Sequence, residues 1–140
     1  MIKILSLTYK NNKGGGPYQV SLDYKKILDK SFFFVKLLHL SNNFYYHYLF
    51  NKKKLKNFIN KFNVIHIHNI FSLKDILTLK IAQSLAIPCI LTAHGNLNKW
   101  SMEQQSLKKY FFLILFKKII HSISLIHFLN ESEKIDASKI

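Results

Sequence analysis

The chain has 140 residues, which is enough for one domain with a buried core and too few for two full domains. Its 21 basic and 7 acidic residues give a formal net charge of +14, which favours an anionic partner. Every basic residue is Lys, whereas Arg is the side chain that forks onto phosphate and guanine, so the charge does not predict a nucleic-acid partner.

The first fifty residues predict a strand, a glycine loop, a helix and a second strand. Residues 2–9 are β-rich, and "KNNKGGG" at 10–16 is typical of a turn. A helix is predicted over 17–30, where a proline opens a run of apolar residues at helical spacing. Residues 31–40 predict a second buried strand, whereas 41–50 are compatible with a loop, a strand or a helix.

The middle of the chain predicts two helices and two strands. Residues 51–62 are typical of a short polar helix, and 63–69 and 87–93 are typical of strands. Ser72 and Asp75 have capping-box spacing, which predicts that a helix begins there. The apolar face of this helix is predicted from Leu73, Leu77, Ile81 and Leu85.

The last third predicts a long helix, a strand and a final helix. Ser101 and Gln104 again have capping-box spacing, so a helix is predicted over 101–121. Residues 124–129, "SLIHFL", predict the fifth strand, and 130–140 predict a helix.

Strands that alternate with helices along 1–140 predict a single Rossmann-like α/β domain. Right-handed crossovers between successive strands give a parallel sheet with helices on both faces. Ligands of such sheets bind beyond the carboxyl ends of the strands, so the residues that follow strands are the candidates for a binding site.

Gly14, Gly15 and Gly16 follow the first strand. The segment is not a phosphate-binding Walker loop, because Gly-Lys-Ser/Thr is missing, and it is not a complete dinucleotide fingerprint. Successive glycines allow the backbone to approach a phosphate or a sugar hydroxyl. The alternative is a flexible turn without a ligand.

Histidines stand near the ends of the third and fourth strands. His66 and His68 share one side of a strand and could chelate zinc, but no third ligand stands at a familiar offset, so no metal is predicted. His66 is predicted to pack, and His68 and Asn69 are predicted at the rim, within reach of a hydroxylated ligand. His94 follows the fourth strand and precedes Gly95. Two roles are open for it, contact with a ligand or a purely structural role.

Two lysine-rich segments are compatible with contact with a membrane. "NKKKLK" at 51–56 predicts a solvated helix face, with anionic lipid as the alternative. Residues 110–116 are all apolar and are flanked by lysines, which predicts burial or an apolar contact. The chain is also rich in residues with A/T-rich codons, so genome composition alone can explain the excess of Lys.

The sequence predicts a cytoplasmic protein, either free or peripheral to the inner membrane face. Cys89 is the only cysteine, so no internal disulfide forms, and we expect a buried thiol in a reducing compartment. The amino terminus lacks the apolar core of a signal peptide. The most apolar stretch is broken by Lys117 and Lys118, so no spanning helix is predicted.

The order of these motifs resembles the N-terminal domain of a family 4 glycosyltransferase of the GT-B fold. The similarity covers nearly the whole chain and rests on five pieces, "MIKILSLTY", "GGGP", "NVIHIHNIF", "AIPCILTAHGNLNKW" and "SLIHFLNESEK". It implies retaining transfer of a sugar from a nucleotide-diphosphate donor to a glycan or lipid-linked acceptor, without a metal or other cofactor.

The resemblance also implies roles for particular residues. The loop glycines would lie near the donor diphosphate and the acceptor, His94 would contact the donor sugar, and His68 would lie on the acceptor side. Lys99 stands where the family often has Pro before the Trp. The family's second domain, which binds the nucleotide, is not in this chain, so we expect the chain to be inactive alone. The alternatives are a fragment, a truncated gene product, or half of a split enzyme whose C-terminal domain is encoded separately.

Two other classes of function remain as alternatives. One is a non-catalytic α/β binding module that associates with an anionic membrane or a partner protein. The other is a dinucleotide-dependent oxidoreductase, which is disfavoured because "LLHLSNN" ends the second strand without an acidic ribose-binding residue.

Overall fold

Five β-rich segments form one parallel sheet in the structure, a computed structural model that describes residues 1–9, 16–39, 51–69, 71–104 and 106–139. The strands are β1 (Ile2–Thr8), β2 (Phe33–His39), β3 (Val64–Ile67), β4 (Cys89–Thr92) and β5 (Leu125–His127). Their order is β2-β1-β3-β4-β5, and every neighbouring pair is parallel. All five strand predictions and the Rossmann-like α/β class are confirmed. The ambiguous segment 41–50 lies outside the described residues.

Helices connect these strands. Within the described residues they are α1 (Gly16–Leu28), α2 (Lys52–Ile59), α3 (Leu73–Ser84), α4 (Lys99–Glu103), α5 (Ser106–Lys117) and α6 (Glu131–Ala137), with a 3₁₀ turn at Ile120–Ser122. Side-chain oxygens cap the start of several helices, which satisfies backbone N–H groups that have no partner inside the helix. Asn51 Oδ1 accepts from the N–H of Lys54, and Asn130 Oδ1 accepts from that of Glu133.

The single helix predicted over 101–121 is wrong, because two helices occupy this stretch. Asn98, which is among the strongest N-cap residues, accepts from the N–H of Ser101 at 2.7 Å, so α4 begins before Ser101. Gln104 is extended, with φ −76° and ψ 126°, and this ends α4. The capping-box spacing at Ser101 and Gln104 therefore does not mark a helix start.

Helix α3 begins where predicted, but its most buried face differs from the predicted one. Ser72 is the N-cap, and its hydroxyl accepts from the N–H of Lys74 at 3.2 Å. Leu73, the first residue of the predicted apolar face, is exposed. The fully buried face carries Ile76, Leu79 and Ala82, while the remaining predicted positions are only partly buried against the core.

Helix α3 ends in a Schellman motif with an unfavourable residue at its turn. The N–H of Ala86 bonds to the carbonyl of Gln83, and the N–H of Ile87 bonds to that of Ala82, each at 3.0 Å. Ala86 adopts φ 54°, a left-handed conformation that strains a residue with a Cβ.

We therefore expect Ala86→Gly to stabilise the fold by about 1 kcal/mol, because Ala86 is exposed and glycine relieves the left-handed strain. Denaturant unfolding measures the change. Ala137→Gly, at the last helical residue of α6, is the comparison and is expected to destabilise, because glycine lowers helix propensity and the Ala137 methyl packs against the core. A loss of stability in Ala86→Gly would contradict the assignment of strain.

The two faces of the sheet differ in character, because side chains alternate along each strand. One face carries Leu5, Ile65 and Leu91, which form the core together with residues of α2, α3 and α5. Cys89 lies on this face; it is buried as predicted, and burial raises the pKa of its thiol to about 11. The other face is covered in part by α1, and a groove of about 470 Å³ lies beside that helix.

Candidate functional site

The register of the sheet places a row of polar residues near the carboxyl edge, four within strands and His68 directly after β3. Across the sheet, the row reads His39, Thr8, His68, Thr92 and His127. Ser6 and His66 precede Thr8 and His68 by two positions, so they share the face on which α1 lies. The sheet therefore gathers hydroxyl and imidazole groups from all five strands onto one face.

A chain of hydrogen bonds links Ser6, His68 and His94. The Ser6 hydroxyl lies 3.1 Å from Nε2 of His68, and Nδ1 of His68 lies 2.9 Å from Nε2 of His94. The two imidazole rings are stacked with centroids 5.2 Å apart. Both ring nitrogens of His68 are thus occupied, while Nδ1 of His94 bonds to none of the described residues.

A second chain of hydrogen bonds links His66, Thr92 and His127. The Thr92 hydroxyl lies 2.8 Å from Nε2 of His66 and 3.4 Å from Nδ1 of His127. A hydroxyl can donate to one of these nitrogens and accept from the other. Among the described residues, no three His, Cys, Asp or Glu side chains are grouped so as to hold a metal ion.

The first chain couples the tautomers of His68 and His94. When Nδ1–H of His68 donates to His94, Nε2 of His68 accepts from Ser6, and neutral His94 carries its proton on Nδ1. When the direction of both bonds reverses, Nδ1 of His94 becomes an acceptor. The direction of the hydrogen bonds from Ser6 and His68 therefore determines whether Nδ1 of His94 is a donor or an acceptor.

Burial keeps these imidazoles neutral. Desolvation lowers the pKa of His66 to about 4 and that of His68 to about 2, and neighbouring histidines add to both shifts. Desolvation also lowers the pKa of half-buried His94, although the carboxylate of Glu133 opposes that shift. At neutral pH, His94 is therefore an uncharged group that can donate or accept a hydrogen bond.

The loop that carries His94 is held in a strained conformation. His94 has φ 52° and Gly95 has φ 77°, so two successive residues are left-handed. The buried carboxylate of Glu133 accepts from the N–H of Leu97 at 3.5 Å and from that of Leu129 at 3.2 Å, which ties the loop to the start of α6. Backbone strain of this kind clusters at binding and catalytic sites.

A buried carboxyl group lies at the same edge of the sheet. Asp75, in the first turn of α3, accepts from the hydroxyl of Tyr9 at 3.0 Å. Burial raises the pKa of Asp75 to about 8, although hydrogen bonds from Tyr9 and Ser72 oppose the shift. Within the described part of the chain, Oδ1 of Asp75, Oγ1 of Thr8 and Nδ1 of His39 are buried without a hydrogen-bond partner.

The sequence-predicted site residues are only partly brought together. Gly14 and Gly15 lie outside the described residues, and Gly16 is the first residue of α1, with open space where a Cβ would lie. Asn69 is half-buried, and its side chain accepts from the N–H of Phe71 at 3.1 Å.

His68 is not at the rim, which corrects the predicted location. Its side chain is only 2% exposed, because His94 stacks on it and the ring of Tyr24 on α1 lies 6.4 Å away. Its contact is with His94 instead of with solvent. His94 and Gly95 remain accessible in the loop after β4.

Sequence reasoning missed Ser6, Thr92, His127, Asp75 and Glu133 as members of this cluster. The alternation of polar and apolar residues near the ends of β1, β3, β4 and β5 was a usable signal for the first three. No local pattern predicts the contacts of Asp75 and Glu133, since each depends on an element distant in the sequence.

The chain is a Rossmann-like α/β protein with a hydrogen-bonded histidine cluster at the carboxyl edge of its sheet. A scan of protein-family models, a search of curated proteins and a search of solved structures each found no match. The sheet itself therefore defines the fold class, and a function depends on the residues at its carboxyl edge.

Proposed function

We propose that the chain is the acceptor-side domain of a retaining glycosyltransferase of polysaccharide biosynthesis. It would act on a nucleotide-diphosphate sugar and a glycan or lipid-linked acceptor. The observation that carries the proposal is His94, whose Nε2 is bonded to buried His68 and whose Nδ1 bonds to no described residue. The order of sequence motifs described above supports the same class of reaction.

The location of the cluster supports a ligand site. In an open parallel sheet, ligands bind where the connections leave adjacent strands in opposite directions. Here the connection after β1 leads to β2 on one side, whereas the connection after β3 leads to β4 on the other side. The point where the direction changes therefore lies between the carboxyl ends of β1 and β3. His68 follows β3 directly, and its N–H bonds to the carbonyl of Leu7 at 3.3 Å.

The chemistry of the proposed transfer assigns a role to His94. The bond between the anomeric carbon and a diphosphate oxygen breaks, a bond from that carbon to the acceptor oxygen forms, and the acceptor proton leaves with the diphosphate. Negative charge develops on the leaving group. Neutral His94 with its proton on Nδ1 can donate to the donor substrate, and the positive end of α1 at Gly16 favours an anion.

The test supplies the nucleotide-binding half in trans or by fusion. The chain is combined with a GT-B C-terminal domain, and transfer from nucleotide sugars to glycan or lipid-linked acceptors is assayed. His94→Ala is expected to lower the rate by about 100-fold, the range for loss of one donor to a developing anion. His121→Ala, which removes an exposed imidazole outside the cluster, is the matched control and is expected to retain transfer.

The assay can reject each part of the proposal. Transfer that His94→Ala leaves unchanged rejects the role of His94. If no combination transfers sugar, and calorimetry detects no binding of nucleotide sugars or glycans to the chain, the glycosyltransferase assignment is rejected.

A second candidate is a non-catalytic α/β module that is peripheral to an anionic membrane. A specific observation favours it, because several large apolar side chains of α5 face away from the core. This candidate and sugar transfer are compatible, since a lipid-linked acceptor lies at a membrane.

A further inference from the structure

Helix α5 is apolar on two opposite sides, and only one of them reaches the core. Phe112, Leu113 and Phe116 are buried. On the other side, the exposed fractions are 87% for Leu107, 66% for Tyr110, 57% for Phe111 and 44% for Ile114. We call these four residues the α5 stripe. The prediction that the apolar run at 110–116 is buried therefore holds for only part of the run.

The α5 stripe has the pattern of a helix that lies in a membrane interface. Its members are separated by three, one and three residues, which places them on one side of a helix. Two of the four are aromatic, and aromatic side chains favour the boundary between water and lipid. Among the described residues, no helix is long and apolar enough to cross a membrane, so a helix of this pattern would lie along the surface.

The charge around the α5 stripe selects an anionic partner. Lys118 follows Ile114 by four residues and continues the line of the stripe, and Lys117 beside it is also exposed. Residues 106–118 contain no Asp or Glu, and the whole chain carries a formal charge of +14. Long lysine side chains can lie along apolar surface while their ammonium groups reach lipid phosphates.

The same charge disfavours a second copy of the chain as the occupant. A self-association through α5 would bring two sets of exposed lysines together without a carboxylate on the helix to oppose them. Like charges that face each other across an interface are costly. An anionic lipid surface instead offers both an apolar interior for the stripe and negative charge for Lys117 and Lys118.

We propose that the α5 stripe, with Lys117 and Lys118, is the surface by which this protein attaches to anionic phospholipid membranes. The proposal rests on the membrane-attachment candidate above and is independent of sugar transfer. A negative result in the membrane-binding experiments does not change the result expected in the sugar-transfer assay. Failure of the membrane proposal can therefore be distinguished from failure of the glycosyltransferase proposal.

Flotation of the full chain with vesicles tests the apolar part of the surface. Vesicles of phosphatidylcholine mixed with phosphatidylglycerol are expected to carry the protein, and vesicles of phosphatidylcholine alone to carry much less. The double variant Leu107→Ser with Phe111→Ser is expected to lower partitioning by about tenfold or more. Ile27→Ser with Phe32→Ser likewise removes one exposed aliphatic and one exposed aromatic side chain, outside the α5 stripe, and it is expected to retain binding.

A second pair of variants tests the charge. Lys117→Gln with Lys118→Gln is expected to weaken binding to phosphatidylglycerol vesicles several-fold. Raising the salt concentration is expected to weaken the binding of the wild-type protein to a similar extent. Lys52→Gln with Lys53→Gln removes two exposed lysines from α2 as the matched control and is expected to have a smaller effect. If the α2 pair has the larger effect, the lysine-rich segment 51–56 is the attachment site and the α5 proposal is overturned.

A fluorescent reporter tests whether the α5 stripe enters the lipid. Trp100 is the only tryptophan, so Trp100→Phe with Tyr110→Trp places the sole indole on the stripe. Its emission is expected to shift to shorter wavelength with phosphatidylglycerol vesicles, whereas Trp100→Phe with Phe32→Trp is expected to show no shift. Circular dichroism confirms that each variant is folded. Absence of flotation, an unshifted emission at position 110, or sedimentation as a dimer through α5 would each overturn the proposal.

Discussion

Asp75→Asn is expected to remove a pH-dependent destabilisation that the buried carboxyl group of Asp75 contributes as pH rises from about 4 to about 8. Asp75 is buried, and its pKa is raised from 3.8 to about 8 in the folded protein. Between these two values, the folded chain holds a proton that the unfolded chain has released. The contribution of Asp75 to stability therefore falls as pH rises through this window, by about 1.4 kcal/mol for each pH unit.

The Asn variant does not titrate at this position, so the difference between variant and wild type isolates the effect. The free energy of unfolding of the variant minus that of the wild type is expected to increase by ~4 kcal/mol between pH 4 and pH 7. Denaturant unfolding across this range measures it, and hydrogen bonds gained or lost by the amide shift all points equally. Asp23→Asn, at an exposed position on α1, is the control. A constant difference for Asp75→Asn would show that its carboxyl group is ionised in the folded state.

His66 and His68 are expected to act in the opposite direction. Desolvation lowers the pKa of these side chains to about 4 and about 2, whereas an unperturbed histidine titrates near 6.5. Below that pH, both histidines are protonated in the unfolded chain but remain unprotonated in the folded chain. Stability is therefore lost as pH falls, by about 2 kcal/mol for each histidine between pH 7 and pH 5.

The measurement is clearest in the Asp75→Asn background, where the opposing titration is removed. Unfolding free energies are compared at several pH values with and without His66→Gln and His68→Gln, which keep a polar side chain at each position. The acid-induced loss is expected to become smaller with each substitution, while His121→Gln, at an exposed position, leaves it unchanged. If the double variant loses stability in acid as steeply as its parent, the two imidazoles are not held neutral by the fold.

Most of the sheet could be predicted because its strands are short, β-rich and bounded by turn residues. The bounds of β3 and β4 differ from the predicted ones by one or two residues, because pairing with neighbours sets where a strand ends. The helix predicted over 101–121 failed for a local reason. Two capping signals compete there, and Asn98 caps the helix by accepting from the N–H of Ser101, so Ser101 lies inside α4 instead of at a helix start.

The candidate site was predicted only in outline. The rule that ligands bind at the carboxyl ends of strands drew attention to His68 and His94, which the structure places in hydrogen-bond contact. It could not show that His68 is enclosed and bonded to His94, because that contact joins residues 26 positions apart. Nor could it show that Ser6 completes the chain, since a serine inside a strand carries no distinctive pattern.

The strand order has a consequence for how the protein forms as it leaves the ribosome. β2 pairs with β1, β3 adds to the other side of β1, and β4 and β5 then extend that side in turn. Each new strand thus meets a free edge of a sheet that is already started, and none must insert between two paired strands. Synthesis proceeds slowly compared with the elementary steps of folding. The nascent chain can therefore build the sheet outward in the order in which its codons are read.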